Sequence, residues 1–175
     1  MIEFLSEENV LAHREYLNTL RLKYSIFEKS FPSIKNKYPG EIVRQKMNRE
    51  DKREALDLLC EILLHNIFFT SFSKDTYSES KIIRESFGGI SGLVYEIMTR
   101  AKGLKYGFVC IYSYGGRAWF DSSSSFRKLV MPTMPILAID LCEHAYFSDY
   151  GFDKERYLSS ALSYLDTSRL EKNQK

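Results

Sequence analysis

Three histidines and one aspartate are the side chains in this sequence whose types and positions could share one chemistry. The chain contains His13, His65 and His144 and no other histidine, and Asp140 lies four residues before the last of them. Three imidazole nitrogens and one carboxylate oxygen form a borderline donor set, which suits iron, manganese or zinc and leaves a coordination position for water. We therefore expect these four side chains to hold one metal ion.

The hydrophobic pattern around these residues places them inside the protein. His13 and Leu17 are four residues apart and share one face of a predicted helix, as do His65 and Phe69 on a second helix. Both histidines therefore lie on apolar, inward-facing stripes. Asp140 ends a short apolar segment that reads as a buried strand. A buried carboxylate costs several kcal/mol unless it is paired or coordinates a metal. The position of Asp140 is therefore a second indication of a bound cation.

Two long helical patterns in the first half carry the first two histidines. The first pattern covers residues 7–30, with Ser6 as its N-cap and Pro32 just beyond its end. A proline-containing loop follows, and Glu50 opens the second pattern. We expect these helices to form a hairpin that makes up an N-terminal domain over residues 1–75.

The second half of the chain changes to shorter periods. The predicted elements, in chain order, are helices over 79–87 and 90–102, strands over 107–113, 117–120 and 136–140, and helices over 143–150 and 154–169. The serine run 122–125 is predicted to be a mobile loop. The fold class is therefore α+β: an N-terminal long helical hairpin followed by an α/β lobe with a three-stranded antiparallel sheet, over residues 76–175.

Composition and charge limit the class of protein. The 175 residues are 44% hydrophobic, and no apolar run reaches the ~18 residues that a membrane span needs. The first residues carry acids where a targeting peptide carries basic residues, so we expect a cytoplasmic protein with no membrane partner. The net charge of +2 argues against a nucleic-acid partner. Three cysteines without a C-x-x-C pair predict buried free thiols.

Three sequence motifs resemble those of one known family. The stretch Asp140-Leu-Cys-Glu-His-Ala-Tyr-Phe147 resembles the iron/manganese superoxide dismutase signature D-x-W-E-H-[STA]-[FY]-[FY], with Cys142 where the family has Trp. His65-Asn-Ile-Phe-Phe69 is similar to the ligand motif of the family's second helix, H-x-x-F-[WYF]. Leu5-Ser6 followed by His13 resembles the start of the first helix, where a histidine seven residues after the serine is a ligand.

The resemblance implies an activity, a cofactor and an oligomeric state. All three histidines and Asp140 fall on the family's ligand positions, which implies one iron or manganese ion per subunit. The implied reaction converts superoxide to dioxygen and hydrogen peroxide as the metal cycles between divalent and trivalent states. Glu143 matches a family glutamate that reaches the partner's ligand histidine, so a homodimer through the Glu143-His144 region is implied.

The sequence departs from the family around the expected ligands. Leu17 and Arg21 stand where the family has a histidine and a tyrosine that line the substrate funnel. Tyr16 and Tyr24 are the candidates to replace that tyrosine, and Arg21 is a candidate to attract the anionic substrate. Glu61 stands at one of the two places that supply the family's outer-sphere glutamine, where it could bond the metal-bound solvent or become a ligand.

Two other function classes are compatible with the sequence. One is a family paralogue that acts as a structural or interaction module, in which a basic stretch docks RNA or an acidic partner. That stretch runs from Arg21 to Arg53 and holds ten Lys or Arg residues against four acids, although a solvated face is the commoner explanation of such a run. The other is a non-redox metal enzyme, for instance a zinc-dependent hydrolase with Glu61 as general base.

Overall fold

The computed structural model of the chain describes residues 2–74 and 79–172. Its first half contains the two predicted long helices, α1 (Glu7–Ser30) and α3 (Arg49–Thr70), which pack against each other. Each helix begins at a side-chain cap. The hydroxyl of Ser6 accepts from the backbone N–H of Asn9, and the side-chain amide oxygen of Asn48 accepts from the backbone N–H of Asp51. The predicted helical hairpin is therefore present.

The segment between these helices is more ordered than the expected loop. It contains a short 3-10 helix, Pro32–Ile34, and the one-turn helix α2, Pro39–Ile42. Ile34 and Ile42 are fully buried in the core of the hairpin. Both turns are stabilised by the packing of these two side chains in the hairpin core, because burial of one isoleucine contributes about 2 kcal/mol to the stability of the folded state.

The second half is built on a three-stranded antiparallel sheet, as predicted. Its strands are β1 (Phe108–Tyr114), β2 (Arg117–Ser123) and β3 (Leu137–Asp140), in the order β2-β1-β3. Gly115 and Gly116 join β1 to β2 with φ values of +58° and +79°. Positive φ at both central residues is the requirement of a type I′ turn, which glycine meets without strain.

The expectation of a mobile loop over the serine run was wrong for its first half. Ser122 and Ser123 belong to β2 and pair with Val109 and Phe108 of the central strand. The backbone of a buried central strand must hydrogen-bond along both edges, whatever side chains the neighbouring strand offers. The chain then forms the short helix α6 (Phe126–Val130), which the sequence pattern did not predict.

Six helices of the described chain belong to the sheet-containing lobe. They are α4 (Lys81–Phe87), α5 (Ile90–Lys102), α6, α7 (Glu143–Tyr150), α8 (Lys154–Ser163) and α9 (Arg169–Lys172). The prediction of one helix over 154–169 was wrong, because the chain leaves the helix after Ser163. Leu165 forms a β-bridge with Phe72, and Asp166 N donates to the carbonyl of Ser71. This pairing ties the C-terminal segment to the end of α3.

The sheet and its helices enclose the main hydrophobic core, and the hairpin has a smaller core of its own. Helix α3 contacts both β3 and α6, so it belongs to the packing of both halves. The predicted domain boundary between residues 75 and 76 lies outside the described residues and stays a prediction. Within the described ranges, no helix combines the length and apolar character that a membrane crossing requires.

Candidate metal centre

Four different elements bring the predicted metal-binding side chains to one place. His13 comes from α1, His65 from α3, Asp140 from the last position of β3, and His144 from the first turn of α7. Oδ1 of Asp140 accepts a 2.8 Å hydrogen bond from the backbone N–H of Cys142. This bond fixes the carboxylate and turns its other oxygen, Oδ2, toward the three imidazoles.

The donor atoms converge on a single point. Asp140 Oδ2 lies 3.2 Å from His144 Nε2, 3.3 Å from His13 Nε2 and 3.4 Å from His65 Nε2. One donor atom from each residue can be chosen so that all four lie within 4.8 Å of one another. Donors that share one ion at ~2.1 Å are separated by about 3 to 4 Å. The spacing therefore fits a single first-row metal ion.

The site is buried, and some of its polar atoms have no hydrogen-bond partner among the described residues. Asp140, His13 and His65 are no more than 1% exposed, and the side chain of His144 is 29% exposed. Neither Asp140 Oδ2 nor His13 Nε2 makes a hydrogen bond to any described residue. Buried polar atoms without partners are costly, and a cation between them would remove that cost. The donor set present therefore fits a resident metal ion.

The environment of the site favours the metal-binding protonation states of Asp140 and His65, but it favours the protonated ring of His144. Burial opposes ionisation of Asp140, but the imidazoles of His13 and His144 outweigh it and hold the pKa of this carboxyl well below its usual range. Burial lowers the pKa of His65 to about 4, so its ring is neutral at pH 7. Burial also disfavours the charged ring of His144, but the Asp140 carboxylate raises the pKa of that imidazole above its usual value. A metal would have to displace that proton.

A backbone contact sets the orientation of His65. Its Nδ1 lies 2.8 Å from the carbonyl oxygen of Glu61, to which it donates in the Nδ1–H tautomer. The lone pair of Nε2 then faces the centre, which is the arrangement that metal-bound histidines use. The ring of His65 also meets Phe108 edge to face at 5.3 Å between centroids. Phe108 thereby helps to exclude water from this side of the site.

Tyr16 and Glu61 form a pair beside the four donors. The Tyr16 hydroxyl donates a 2.6 Å hydrogen bond to Oε1 of Glu61. The ring of Tyr16 lies 4.3 Å from the His144 ring and 5.5 Å from the His65 ring, measured between centroids. Burial raises the pKa of the Tyr16 hydroxyl, with the hydrogen bond to Glu61 as a second cause, and burial also raises the pKa of the Glu61 carboxyl.

The other three residues predicted for the site lie outside this contact. Arg21 is exposed and donates to the side-chain oxygen of Asn66, the neighbour of His65, at 2.7 Å. Tyr24 is buried in the core of the hairpin, and its hydroxyl has no partner among residues 2–74 and 79–172. Glu143 is exposed and lines a surface cleft together with His144.

Sequence reasoning missed two polar residues near the donors. Asn9 lies one turn before His13 on α1, is 1% exposed, and has no hydrogen-bond partner for either amide atom within the described chain. Asn66 holds the guanidinium of Arg21. The signal that could have found Asn9 is its i−4 spacing from an inward-facing histidine, which places it on the same buried stripe.

A buried serine connects the helix of His65 to the strand of Asp140. The Ser71 hydroxyl donates to the carbonyl of Ile67 at 2.8 Å and accepts from the backbone N–H of Ala138 at 2.9 Å. Ser71 is fully buried just after the end of α3, and Ala138 lies in the middle of β3. The helix that carries His65 and the strand that carries Asp140 are therefore joined directly by a side-chain hydrogen bond.

Comparison with known families decides the assignment of the chain. The family model described as iron/manganese superoxide dismutases, C-terminal domain, matches residues 76–173, which is more than half of the 175 residues. The chain belongs to the iron/manganese superoxide dismutase family. The family resemblance predicted from the sequence motifs is therefore confirmed, together with the α+β fold. A search of curated proteins found no match to the chain.

The matched residues include two of the four donors, and only the structure connects the other two with them. The superoxide dismutase match contains Asp140 and His144, whereas His13 and His65 lie before its first residue. The structure places these two histidines beside the matched pair, at the distances given above. Iron/manganese superoxide dismutases bind one of the two metals in their name, and a donor set of three imidazoles and one carboxylate suits both.

Proposed function

We propose that the chain is a superoxide dismutase that converts superoxide to dioxygen and hydrogen peroxide with one iron or manganese ion per subunit. The observation that carries this proposal is the position of Asp140 Oδ2, a fully buried carboxylate oxygen with three imidazole Nε2 atoms 3.2–3.4 Å away and no hydrogen bond to a described residue. Membership of the iron/manganese superoxide dismutase family supports it independently.

His13, His65, Asp140 and His144 are the proposed ligands. The bound ion would supply one-electron chemistry between its divalent and trivalent states. Asp140 contributes a negative charge in a buried pocket, which offsets part of the charge of the cation. With a metal bound, the three deprotonated imidazoles would contribute lone pairs without adding charge. Phe68 packs against the ring of His13 at 4.9 Å between centroids and restricts its orientation.

We assign Tyr16 and Glu61 to proton handling next to the ligands. Reduction of superoxide to hydrogen peroxide consumes two protons, so an acid or a hydrogen-bonded path must lie within reach of the reacting oxygen atoms. Tyr16 lies against the ring of His144 and holds the Glu61 carboxyl through its hydroxyl. Tyr24, the other tyrosine considered from the sequence, lies in the core of the hairpin. The observed contacts favour Tyr16.

Arg21 is proposed to attract the anionic substrate. It is exposed, and its guanidinium is held by the side chain of Asn66, which follows His65 in the chain. A fixed positive charge near the mouth of a site raises the encounter rate of a small anion, and salt screens the effect.

A homodimer through the Glu143-His144 surface is also part of the proposal. Glu143, His144 and Phe147 line a cleft on this surface, and Phe147 is 43% exposed. Phe152 is 91% exposed and meets Phe147 edge to face. Two neighbouring aromatic rings in water beside an acidic residue are typical of a surface that a partner covers. The expected cytoplasmic location stays a prediction, which cell fractionation would test.

The test of the proposed function is elemental analysis of the purified protein together with an assay of superoxide consumption. The variant His144→Ala removes one proposed ligand, and Ser148→Ala on the same helix serves as the control. We expect near-stoichiometric iron or manganese and activity in the native protein and the control, and loss of both in His144→Ala. Stoichiometric zinc without superoxide consumption would instead favour the hydrolase with Glu61 as base. A metal-free protein that stays inactive after reconstitution would overturn the proposal.

A further inference from the structure

A second concentration of charge lies at the start of α3, away from the metal centre. Three arginines and one lysine line a cleft of about 290 Å³, together with the buried side chain of Leu56: Arg49, Lys52, Arg53 and Arg127. Arg49 and His65 are sixteen residues apart on the same helix, which corresponds to about 24 Å along its axis. The cleft is therefore a separate site and shares no residue with the proposed metal ligands.

The cations are segregated on one face of α3. Arg49, Lys52, Arg53 and Leu56 follow the i, i+3, i+4, i+7 spacing that places side chains on a single helical face. The acidic residues of the same two turns lie on the other faces: Glu50, Asp51 and Glu54. Arg127 comes from α6, which packs on α3, and completes the cleft from the opposite side.

The positive charges in the cleft exceed the negative charge available to them. Asp57 is the acidic partner, with its Oδ1 2.7 Å from Nε of Arg127 and its Oδ2 3.9 Å from Nε of Arg53. The contact with Arg127 lacks the alignment of a hydrogen bond. Arg49 pairs with no acid within the described residues, and Lys52 donates to a backbone carbonyl. One carboxylate therefore contacts two of the four cations, and the other two have no acidic partner among the described residues.

We propose that this cleft binds the phosphate groups of a small phosphorylated molecule that carries at least two negative charges. One guanidinium group can donate two parallel hydrogen bonds to the oxygens of a phosphate, and a lysine adds a further positive charge. The volume lies just below the range of about 300–1,000 Å³ for small-molecule sites, which limits the occupant to a small group such as a diphosphate. A nucleic acid fits less well, because an extended polyanion leaving the cleft would meet the acidic faces of α3.

The test measures binding of inorganic pyrophosphate to the full-length, metal-loaded protein by isothermal titration calorimetry at low salt. The double variant Arg49→Gln/Lys52→Gln removes two charges from the cleft, and Lys35→Gln/Lys105→Gln removes two exposed charges elsewhere. We expect pyrophosphate to bind the native protein and the control alike, and to bind the cleft variant at least about tenfold more weakly. Arg49→Lys keeps the charge but loses the paired guanidinium contacts, so its affinity should fall between those of the native protein and the cleft variant.

Three outcomes would overturn the proposal. The first is equal weakening in both double variants, which would mean that only net charge matters. The second is no binding of pyrophosphate to the native protein. The third is tight binding of a single-stranded RNA oligonucleotide that depends on Arg49 and that pyrophosphate does not displace, which would identify a nucleic-acid surface. Tighter binding of ADP than of pyrophosphate would support the proposal and indicate a nucleotide, and equal binding would support recognition of the diphosphate group alone.

Discussion

The hydroxyl of Tyr16 donates a 2.6 Å hydrogen bond to the carboxyl of Glu61, one turn before His65. This contact joins α1 to α3 beside the proposed ligands, and both members have pKa values that burial raises. The pair occupies the region where the family resemblance led us to expect a tyrosine and a glutamine. Beside the candidate metal centre, the chain therefore has a carboxyl group in place of the expected glutamine and a tyrosine from a neighbouring position on α1.

Removal of the Tyr16 hydroxyl should slow catalysis without emptying the site. In Tyr16→Phe the Glu61 carboxyl loses its partner and the proton path loses one member, so we expect superoxide turnover to fall by about ten- to a hundredfold. Metal content should stay native, because Tyr16 is not a proposed ligand. The matched control is Tyr24→Phe on the same helix, which should leave turnover close to native. Pulse radiolysis and elemental analysis would measure both quantities, and equal turnover in the two variants would contradict the assignment.

Removal of the metal should destabilise the protein. Asp140 Oδ2 and His13 Nε2 are buried and make no hydrogen bond to any described residue, so removal of an ion from between them would leave both without a partner. An ion at a hundred times its dissociation constant stabilises the folded state by about 2.7 kcal/mol, which corresponds to a Tm decrease of about 5 to 10 °C on chelation for a chain of this length. Differential scanning calorimetry before and after chelation would measure it. An unchanged Tm would show that the four side chains do not share a resident ion.

Replacement of Asn9 by leucine should stabilise the apo protein. Asn9 is buried and neither polar atom of its amide has a partner within residues 2–74 and 79–172, so an apolar side chain of similar size removes a desolvation cost of about 1 to 2 kcal/mol. Asn18→Leu on the exposed face of α1 controls for the change in helix propensity. Urea unfolding would compare the free energies of unfolding of the two variants. A less stable Asn9→Leu would reveal a hydrogen-bonded buried water at this position.

Charge reversal at Arg21 should change how salt affects the rate. If Arg21 attracts superoxide, kcat/KM of the native protein falls with ionic strength. In Arg21→Glu we expect a severalfold lower kcat/KM at low salt and a rise with ionic strength. Lys23→Glu, an exposed position on the same helix, makes the same change in net charge and should give a smaller effect. Parallel salt dependences for the native protein and Arg21→Glu would exclude steering by this residue.

The proposed dimer can be tested at its exposed aromatic rings. Phe147 and Phe152 contact each other beside His144, and Phe152 is almost wholly in water. We expect Phe152→Ser to weaken self-association by about tenfold or more, because a buried aromatic ring contributes on the order of 2 kcal/mol to an interface. Sedimentation velocity would measure the effect. Tyr106→Ser, which changes another exposed aromatic residue, is the control, and a monomeric native protein would overturn the dimer proposal.

Sequence reasoning placed three of the four donors inside the protein because their positions follow from local periodicity, and it found His144 by its spacing from Asp140. His13 and His65 lie on apolar helical stripes, and Asp140 ends an apolar strand, so each is buried for reasons that act within its own element. The chain has three histidines, and all three meet at this point. Agreement among separate elements is what made the clustering of these four side chains predictable.

The contacts around the donors depend on how elements cross, which local patterns do not specify. Tyr16 and Tyr24 were equivalent as candidates in the sequence, and the packing of α1 on α3 brings the first to Glu61 and the second into the core of the hairpin. The serine run was predicted as a loop because its composition is polar, yet the strand beside it required a backbone partner. In both cases tertiary packing overrode local preference.

The hydrogen bonds of Ser71 should affect the rate at which a bound ion leaves the candidate metal centre. Ser71, whose hydroxyl is oriented by the carbonyl of Ile67, accepts from the N–H of Ala138, so the elements that carry His65 and Asp140 cannot separate here without breaking a buried hydrogen bond. The donors are held together by the fold itself, and binding of an ion then requires little ordering of the chain. We therefore expect release of a bound ion to require a rare local opening of this junction and to be slow.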